Sequence, residues 1–153
     1  FTLQRGGGFG GEVEWLINGL PFDPLTPMAS PLKGSGELWT IENGGGGWVH
    51  PMHLHMEEHH VISRNGVLSP QITSAGSGGT LIDYSQTYGS VSNPDPGDNA
   101  KEDVLGLKPG ESVVVFRQFR TFTGPYVAHC HNLAHEDHAM MFGWRIVDGT
   151  TTI

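Results

Sequence analysis

The sequence predicts an all-β protein, a β-sandwich or barrel of Greek-key type. Helical periodicity is nearly absent over the 153 residues, and short β-branched or aromatic runs recur between turns rich in Gly, Pro, Asn and Asp. Seven or so short strands without helices to cover them bury their apolar faces against one another, as two packed sheets do. The length and the lack of an internal repeat predict a single domain over 1–153.

Glycine clusters and prolines separate the predicted strands. GGGFGG at 6–11 follows the first strand, and NGGGG at 43–47 follows the third. The proline-rich 21–31 is typical of an extended connection, and LKPGES at 107–112 of a turn before SVVVFRQF. The predicted strands lie near 2–5, 13–17, 37–42, 53–63, 111–119, 124–131 and 141–147.

A long polar excursion covers 67–100 and contains GSGG and SNPDPGD. An excursion of this length with little structure of its own is either functional or mobile. We therefore predict a long loop here, without a role assigned to it.

Charge and composition exclude several classes of protein. Sixteen acidic against eight basic residues give a net charge of −8, which disfavours a nucleic-acid surface. No apolar run approaches the roughly 20 residues of a membrane span, and no signal peptide is present. Because the chain begins with Phe1 rather than methionine, we expect a piece of a longer product. A lone cysteine, Cys130, cannot form an internal disulfide and leaves the redox compartment open.

All nine histidines fall in two short segments. WVHPMHLHMEEHH at 48–60 holds five of them, and HCHNLAHEDHAMM at 129–141 holds the other four with the only cysteine and two of the five methionines. Histidines scattered by chance through core and surface would not be distributed in this way. The pattern indicates two loops that the fold brings to one region.

Strand geometry sorts these side chains onto two faces. Successive side chains of a strand point to opposite sides. If YVAHCH at 126–131 is a strand, Cys130 faces one side, and His129 and His131 face the other. In HPMHLH at 50–55, the second and third histidines share a face and the first lies on the opposite one. One pair of strands is therefore predicted to serve two sites.

The first predicted site contains sulfur. His50, Cys130 and His135 form a His₂Cys group, with Met140 as a weak axial thioether, which is the ligand set of a blue-copper electron-transfer centre. The soft thiolate and thioether favour copper over Mg²⁺ or Ca²⁺. Zinc is the competing metal, but it rarely recruits methionine.

The second predicted site contains four imidazoles and no sulfur, from the His-x-His pairs His53/His55 and His129/His131. Such a set suits copper ions that meet oxygen rather than ions that only shuttle electrons. Because Cys130 is joined through the backbone to both flanking histidines, an electron at the sulfur site has a short covalent path to the imidazole site.

The two motifs resemble the copper-binding motifs of the multicopper oxidases, HPxHLH followed by HCHxxxHxxxxM. Here they are HPMHLH at 50–55 and HCHNLAHEDHAM at 129–140, with every ligand position filled. The similarity runs from WLING at 15–19 to Val147. It implies a cupredoxin-like fold and nearly the whole of the family's C-terminal, third domain.

Within that family the chain is most similar to the bilirubin oxidase and bacterial spore-coat laccase branch. That branch carries WxHP before the first motif, a VISR-like strand after it, and HEDxDMM after the second. The counterparts are 48–51, 61–64 and 135–141. Two departures leave the substrate class open: Met56-Glu57-Glu58 stands where most laccases have Gly-His, and Ala139 where close relatives often have Asp.

The resemblance implies a ligand role for each motif residue. The type 1 copper takes electrons from the reducing substrate, and the four-electron reduction of O₂ to water occurs at the type 2 and binuclear type 3 coppers, four coppers per complete enzyme. The implied type 1 ligands are His50, Cys130, His135 and Met140; the type 2 ligand is His53; the type 3 ligands are His55, His129 and His131.

Three residues, one of them the ligand Cys130, receive further roles. Cys130 starts the electron path, and Glu136 occupies the place of an acid that assists proton delivery at the oxygen site in the spore-coat laccase branch. Trp48, two residues before His50, lies between substrate and type 1 copper or is a buried packing residue. The family spacing selects Met140 as the axial ligand, which leaves Met141 for the core.

The remaining histidines and one nearby acid are predicted to lie outside the ligand sets. His59, His60 and His138 are expected beside the ligands or on the surface. Glu57 shares strand parity with His53 and His55, but we expect a solvated acid there.

Two other classes of protein remain alternatives. A stand-alone blue-copper electron carrier would need only the sulfur site and leaves both His-x-His pairs unexplained. A cupin-like single-metal protein would use His53, His55 and Glu58, ignoring Cys130 and its neighbours. The number of copper ions and an intense blue absorption would distinguish them.

The count of histidine pairs predicts a partner. The family's three-copper cluster is held by four His-x-His pairs, and this chain supplies two. A symmetric oligomer would repeat the same two pairs. We therefore expect the C-terminal part of an oxidase, active only with N-terminal cupredoxin domains that carry two more pairs on a separate or cleaved chain. The resemblance further implies O₂, a small aromatic reducing substrate of undetermined identity and a secreted location.

Overall fold

The computed structural model describes residues 1–7, 13–44, 46–69, 98 and 100–149. Within these residues, ten strands and one helical turn follow each other along the chain. They are β1 (Thr2–Gly7), β2 (Val13–Ile17), β3 (Gly36–Asn43), β4 (His50–Leu54), β5 (His59–Arg64), β6 (Val67–Leu68), β7 (Val104–Leu107), β8 (Ser112–Gln118), β9 (Gly124–Cys130), α1 (Leu133–Glu136) and β10 (Met141–Ile146).

The strands form two sheets. One has six strands in the order β2-β1-β3-β8-β5-β6, and the other has four in the order β10-β9-β4-β7. β1 pairs with β3 in parallel, whereas the other pairings of these strands are antiparallel. Neighbours distant in sequence, such as β3 with β8 and β4 with β9, require crossings between the sheets, as in Greek-key sandwiches. The predicted all-β class is confirmed.

The hydrophobic core lies between the sheets because their strands alternate inward and outward side chains. In β4 the buried residues are His50, Met52 and Leu54, and the two between them are partly exposed. In β8 the buried positions begin with two valines and end with Arg117. The core between the sheets therefore contains a histidine and an arginine as well as apolar residues.

The structure differs from the prediction over 53–63. This segment is not one strand, because β4 ends at Leu54 and β5 begins at His59. Between them Met56 has a φ of 76°, in the left-handed region that a continuous strand cannot contain. The turn is held by contacts from β8, which a local sequence pattern does not show.

Three elements were not predicted at all: β6, β7 and α1. β6 is two exposed residues at a sheet edge, and α1 is one turn of four residues, so neither gives a periodic signal. β7, VLGL, is short and contains a glycine, which is uncommon in strands.

Most of the predicted 67–100 loop lies outside the described residues, so the prediction of a long loop remains untested. At its far end the buried carboxylate of Asp98 is 2.8 Å from Nη2 of Arg64, whose Nη1 also lies 2.9 Å from Glu111. Within the described ranges, no helix has the length and apolar character needed to cross a bilayer.

Candidate metal centres

Two clusters of metal-ligand side chains lie on opposite faces of the β4–β9 pair. In its register Met52 is opposite Cys130, and His53 is opposite His129. Cys130 and His50 point to the buried side, and His53 faces the other side with His129. The side-chain parity expected from the sequence is therefore present in the structure.

The sulfur cluster consists of His50, Cys130 and His135, all buried. The Nδ1 atoms of the two histidines are 3.0 Å apart, and Sγ of Cys130 lies 3.6 Å from Nδ1 of His50 and 3.5 Å from Nδ1 of His135. Donors ~2.0–2.3 Å from one ion at trigonal angles lie about 3.5 Å apart. The triangle therefore has the dimensions of a metal site.

Local structure explains why these side chains meet. His50 begins β4 and Cys130 ends β9, while α1 carries His135. The side chain of Asn132 caps α1 by accepting a hydrogen bond from the Ala134 amide at 3.2 Å. The cap fixes the start of the turn that presents His135.

The backbone of Met140 is hydrogen-bonded to two residues of this cluster. Its carbonyl accepts from the Cys130 amide at 3.0 Å, and its own amide donates to the His135 carbonyl at 2.9 Å. Its side chain is fully buried, whereas Met141 is partly exposed. The loop thus holds Met140 between the two residues predicted to share its metal.

Burial tunes the protonation of the sulfur cluster. It lowers the pKa of His50 to about 4, with a further contribution from His135, so the imidazole is neutral at pH 7. It raises the pKa of the Cys130 thiol to about 11, so the metal-free thiol keeps its proton. Neutral imidazole is the form that binds metals, and a metal would displace the thiol proton on binding.

Two tryptophans flank His135. The buried Trp15 ring lies 4.0 Å from the His135 ring between centroids, and the Trp48 ring meets it edge-on at 5.4 Å. Trp48 is 50 % exposed, which excludes the buried packing role and leaves it at the surface beside the cluster. The contact of Trp15 was missed, because it depends on the packing of β2 against the loop after β9.

The imidazole cluster brings together His53, His55 and His129, whose ligand nitrogens lie within 4.8 Å of one another. Nε2 of His55 is 3.1 Å from Nε2 of His129. His131 is exposed, and its ring lies 5.5 Å from that of His53 and 5.2 Å from that of His129. It therefore stands next to the group of three but is not part of it.

Two carboxylates border this cluster. Oε1 of Glu136 lies 3.3 Å from Nδ1 of His129, so Glu136 lies beside this cluster. Oδ2 of Asp103 lies 3.7 Å from Nδ1 of His53. Asp103 was not singled out in the sequence, since only the pairing of β4 with β7 brings the two together.

Comparison with known proteins identifies the family. The multicopper oxidase family model matches residues 3–149. The chain belongs to the multicopper oxidase family. It is 36 % identical over 129 residues to bilirubin oxidase of Albifimbria verrucaria, 83 % of this chain and 19 % of that protein. It is 31 % identical over 140 residues to a laccase of Bacillus subtilis, 92 % of this chain and 25 % of that protein.

A solved structure agrees with these sequence relatives. The multicopper oxidase of Pediococcus acidilactici matches with a TM-score of 0.69 and 25 % identity, over 100 % of this chain and 27 % of that one. The chain spans about a fifth to a quarter of the length of such curated relatives. The predicted membership is confirmed, and with it the cupredoxin-like fold and copper as the metal.

The remaining histidines of this multicopper oxidase domain differ in exposure. His60 is partly buried and His138 is exposed, as expected, but a surface position is excluded for His59, which is fully buried. Neither ring nitrogen of His59 has a hydrogen-bond partner among the described residues. Burial, followed by the charge of Arg117, lowers its pKa to about 4.

The prediction of a solvated Glu57 is wrong. Glu57 is 5 % exposed, and its Oε1 accepts from the backbone amides of Arg120 and Thr121 at 2.7 and 2.8 Å and from the Thr121 hydroxyl at 2.8 Å. Although burial opposes it, these hydrogen bonds hold the pKa of Glu57 below its ordinary value. Glu57 is thus a structural carboxylate of the turn after β4.

Proposed function

We propose that this chain provides the type 1 copper site and half of the oxygen-reducing copper cluster of a laccase- or bilirubin oxidase-like enzyme. The observation that carries the proposal is the position of Cys130. Its sulfur belongs to one cluster, while the adjacent His129 belongs to the other. A cluster suited to electron uptake and a cluster suited to oxygen are therefore one residue apart.

The ligand assignment follows the two clusters and the family motif. When bound, copper supplies one-electron oxidation at the first cluster and the reduction of O₂ at the second, where four electrons and four protons give two waters. Each histidine side chain would offer one ring nitrogen, and Cys130 its deprotonated Sγ. The type 1 ligands are His50, Cys130, His135 and Met140; the type 2 ligand is His53; the type 3 ligands are His55, His129 and His131.

Other side chains of the domain guide substrate and protons. The half-exposed Trp48, edge-on to His135, gives a small aromatic reducing substrate an apolar surface within reach of the first cluster. Oε1 of Glu136 lies 3.3 Å from Nδ1 of His129, and its 31 % exposed side chain also reaches water, so Glu136 would relay protons from water to the second cluster.

The imidazole cluster would be completed by histidines from partner domains. Together with the exposed His131 beside it, the cluster makes up two of the four His-x-His pairs that the family's cluster uses. N-terminal cupredoxin domains on a separate or cleaved chain would supply the other two pairs and cover this face. A metal cluster that bridges the interface would make it permanent. A secreted location is part of this proposal and is tested by fractionating the producing cells.

The alternative functions are less well supported. A plain electron carrier gives no reason for three further histidines whose ligand nitrogens lie within 4.8 Å of one another. A cupin-like site needs Glu58, but that carboxylate is exposed, lies 3.7 Å from Lys101, and does not belong to the ligand group of His53, His55 and His129.

Cys130→Ser tests the assignment of the first cluster. We expect the copper-loaded variant to lack the intense blue thiolate-to-copper absorption and, in the complete enzyme, the oxidation of aromatic substrates. His138→Gln, an exposed histidine of the same motif, is the control and should retain both. Blue absorption or undiminished oxidation in a correctly folded Cys130→Ser protein would refute the proposal.

A further inference from the structure

Arg117 is a buried cation in the interior of the sandwich. It is fully buried at an inward-facing position of β8. Its guanidinium carbon lies 4.8 Å from the ring centroid of Trp39 and 4.6 Å from that of Trp144. The two ring faces partly compensate the loss of water around the charge, although an apolar side chain would fill this position without any such loss.

The hydrogen bonds of Arg117 go to one short turn. Nη2 donates to the carbonyl of His55 at 2.7 Å and to the carbonyl of Glu57 at 2.6 Å. Nε and Nη1 have no hydrogen-bond partner in the part of the chain that the structure describes. Both hydrogen bonds of the guanidinium therefore go to the backbone of the segment that follows β4.

This turn needs such support. Met56, between the two carbonyls, has a φ of 76°, which is unfavourable for a residue with a long side chain. The Glu57 amide donates back to the His55 carbonyl at 3.1 Å. Without contacts from outside, the backbone would relax from this conformation and carry His55 with it.

A second set of contacts holds the turn from the other side. The Glu57 carboxylate accepts three hydrogen bonds from Arg120 and Thr121, at the start of the connection from β8 to β9. The turn is thus fixed to β8 by Arg117 and to the β8–β9 connection by Glu57. Its backbone direction is determined before any metal binds.

We propose that Arg117 is a positioning residue for the imidazole cluster. By holding the carbonyls of His55 and Glu57, it directs the His55 ring to its place 3.1 Å from the ring nitrogen of His129. The inference rests on the proposed function only in treating this cluster as a copper site. The hydrogen bonds of Arg117 go to backbone carbonyls rather than to the rings of the cluster, so it acts through the backbone of the turn.

The experiment compares the two clusters of the full 153-residue chain. Arg117→Met keeps most of the side-chain volume and removes the donors. We expect copper titration to show about 10–100-fold weaker binding at the imidazole cluster, the effect usual for lost outer contacts of metal ligands, with the blue site changed by less than about twofold. In the metal-free variant the Glu57 amide should exchange at least about tenfold faster, and the His55 ring resonances should shift.

Two controls separate positioning from general destabilisation. Lys33→Gln removes an exposed cation of the connection before β3, away from the turn, and should change neither site by more than about twofold. Arg64→Met removes another buried arginine, whose contacts are Asp98, Glu111 and the Gly106 carbonyl, and should lower stability without selectivity for the imidazole cluster. Arg117→Lys keeps the charge and should recover part of the binding.

Several results would overturn the inference. They are equal weakening of both sites in Arg117→Met, no change at either site, and the same selective loss in Arg64→Met. If Arg117→Met does not fold, copper affinity at the imidazole cluster and at the blue site is compared in Arg117→Lys instead, and selective weakening at the imidazole cluster is still required. Should the isolated wild-type chain bind no copper at the imidazoles, the ligands of the proposed partner domains are needed for that site, and amide exchange and the His55 resonances still decide the role of Arg117.

Discussion

Single residues decide which chemistry each face of the β4–β9 pair can support. The predicted sulfur ligands, Cys130 and Met140, are buried, and burial raises the pKa of Cys130 and lowers that of His50. The other face presents imidazole nitrogens bordered by carboxylates. Because the two faces share one strand pair, a single substitution can alter one set of donors and leave the other in place.

Met140→Leu tests the axial position. Removal of a thioether donor destabilises the cupric state, so we expect a retained blue colour and a raised reduction potential. The measurement is a redox titration of the blue band. Met141→Leu, one residue further and partly exposed, is the matched control and should leave the potential unchanged. An unchanged or lowered potential in Met140→Leu would show that its sulfur is not axial.

The lowered pKa of His59 predicts that the free energy of unfolding of the chain depends on pH. Its folded pKa is about 4, below the ordinary value of 6.5, so between these values the unfolded chain binds more protons than the folded one. Stability from this residue is complete above about pH 6.5 and is lost as the pH falls through about 4. The full loss is on the order of 3 kcal/mol.

The measurement is the unfolding free energy of the metal-free chain from pH 7 to pH 4. His59→Gln should show a shallower decline than the wild type, because its side chain does not titrate. His138→Gln, at an exposed position, should follow the wild-type curve. Parallel curves for the wild type and His59→Gln would contradict the pKa shift.

Strands show which part of the site could be predicted from sequence. The alternation of side chains is a local property of the backbone, so the separation of Cys130 from His129 and His131 follows from position alone. The spacing of the two motifs indicated which residues belong with Cys130 and which with the flanking histidines. Because both motifs contribute to each predicted site, the strands that carry them had to lie close together.

The turn after β4 shows what the sequence could not provide. The interruption at Met56 depends on hydrogen bonds from Arg117, which is more than fifty positions later in the chain. Glu57 is buried by hydrogen bonds to Arg120 and Thr121, beyond β8, and was therefore assigned too much exposure. His59 lies opposite Arg117 in the β5–β8 register, which excludes the surface position that the sequence left open for it. The alternating pattern predicted one continuous strand through this region, because such a pattern records only local sequence and not contacts with distant residues.

At the scale of the whole molecule, the imidazole face is the surface to which the proposed partner domains would bind. Three histidines converge there, His131 remains exposed beside them, and a cavity of about 360 Å³ lies next to His53 and His55, bordered by Glu58 and residues 101–103. This is the face where complementary histidine pairs would dock.

The purified 153-residue chain alone provides the test at this scale. We expect one tightly bound blue copper, weaker copper at the imidazole cluster, fewer than four coppers in total, and no reduction of O₂ to water. Copper analysis and an oxygen electrode measure these quantities, with the Cys130→Ser chain as the control that lacks the blue copper. Addition of cupredoxin domains that carry two more His-x-His pairs should restore both the metal content and oxygen consumption, because the cluster then has its full set of ligands. Loading with four coppers and O₂ reduction by the chain alone would show that its own histidines suffice and that no partner is needed.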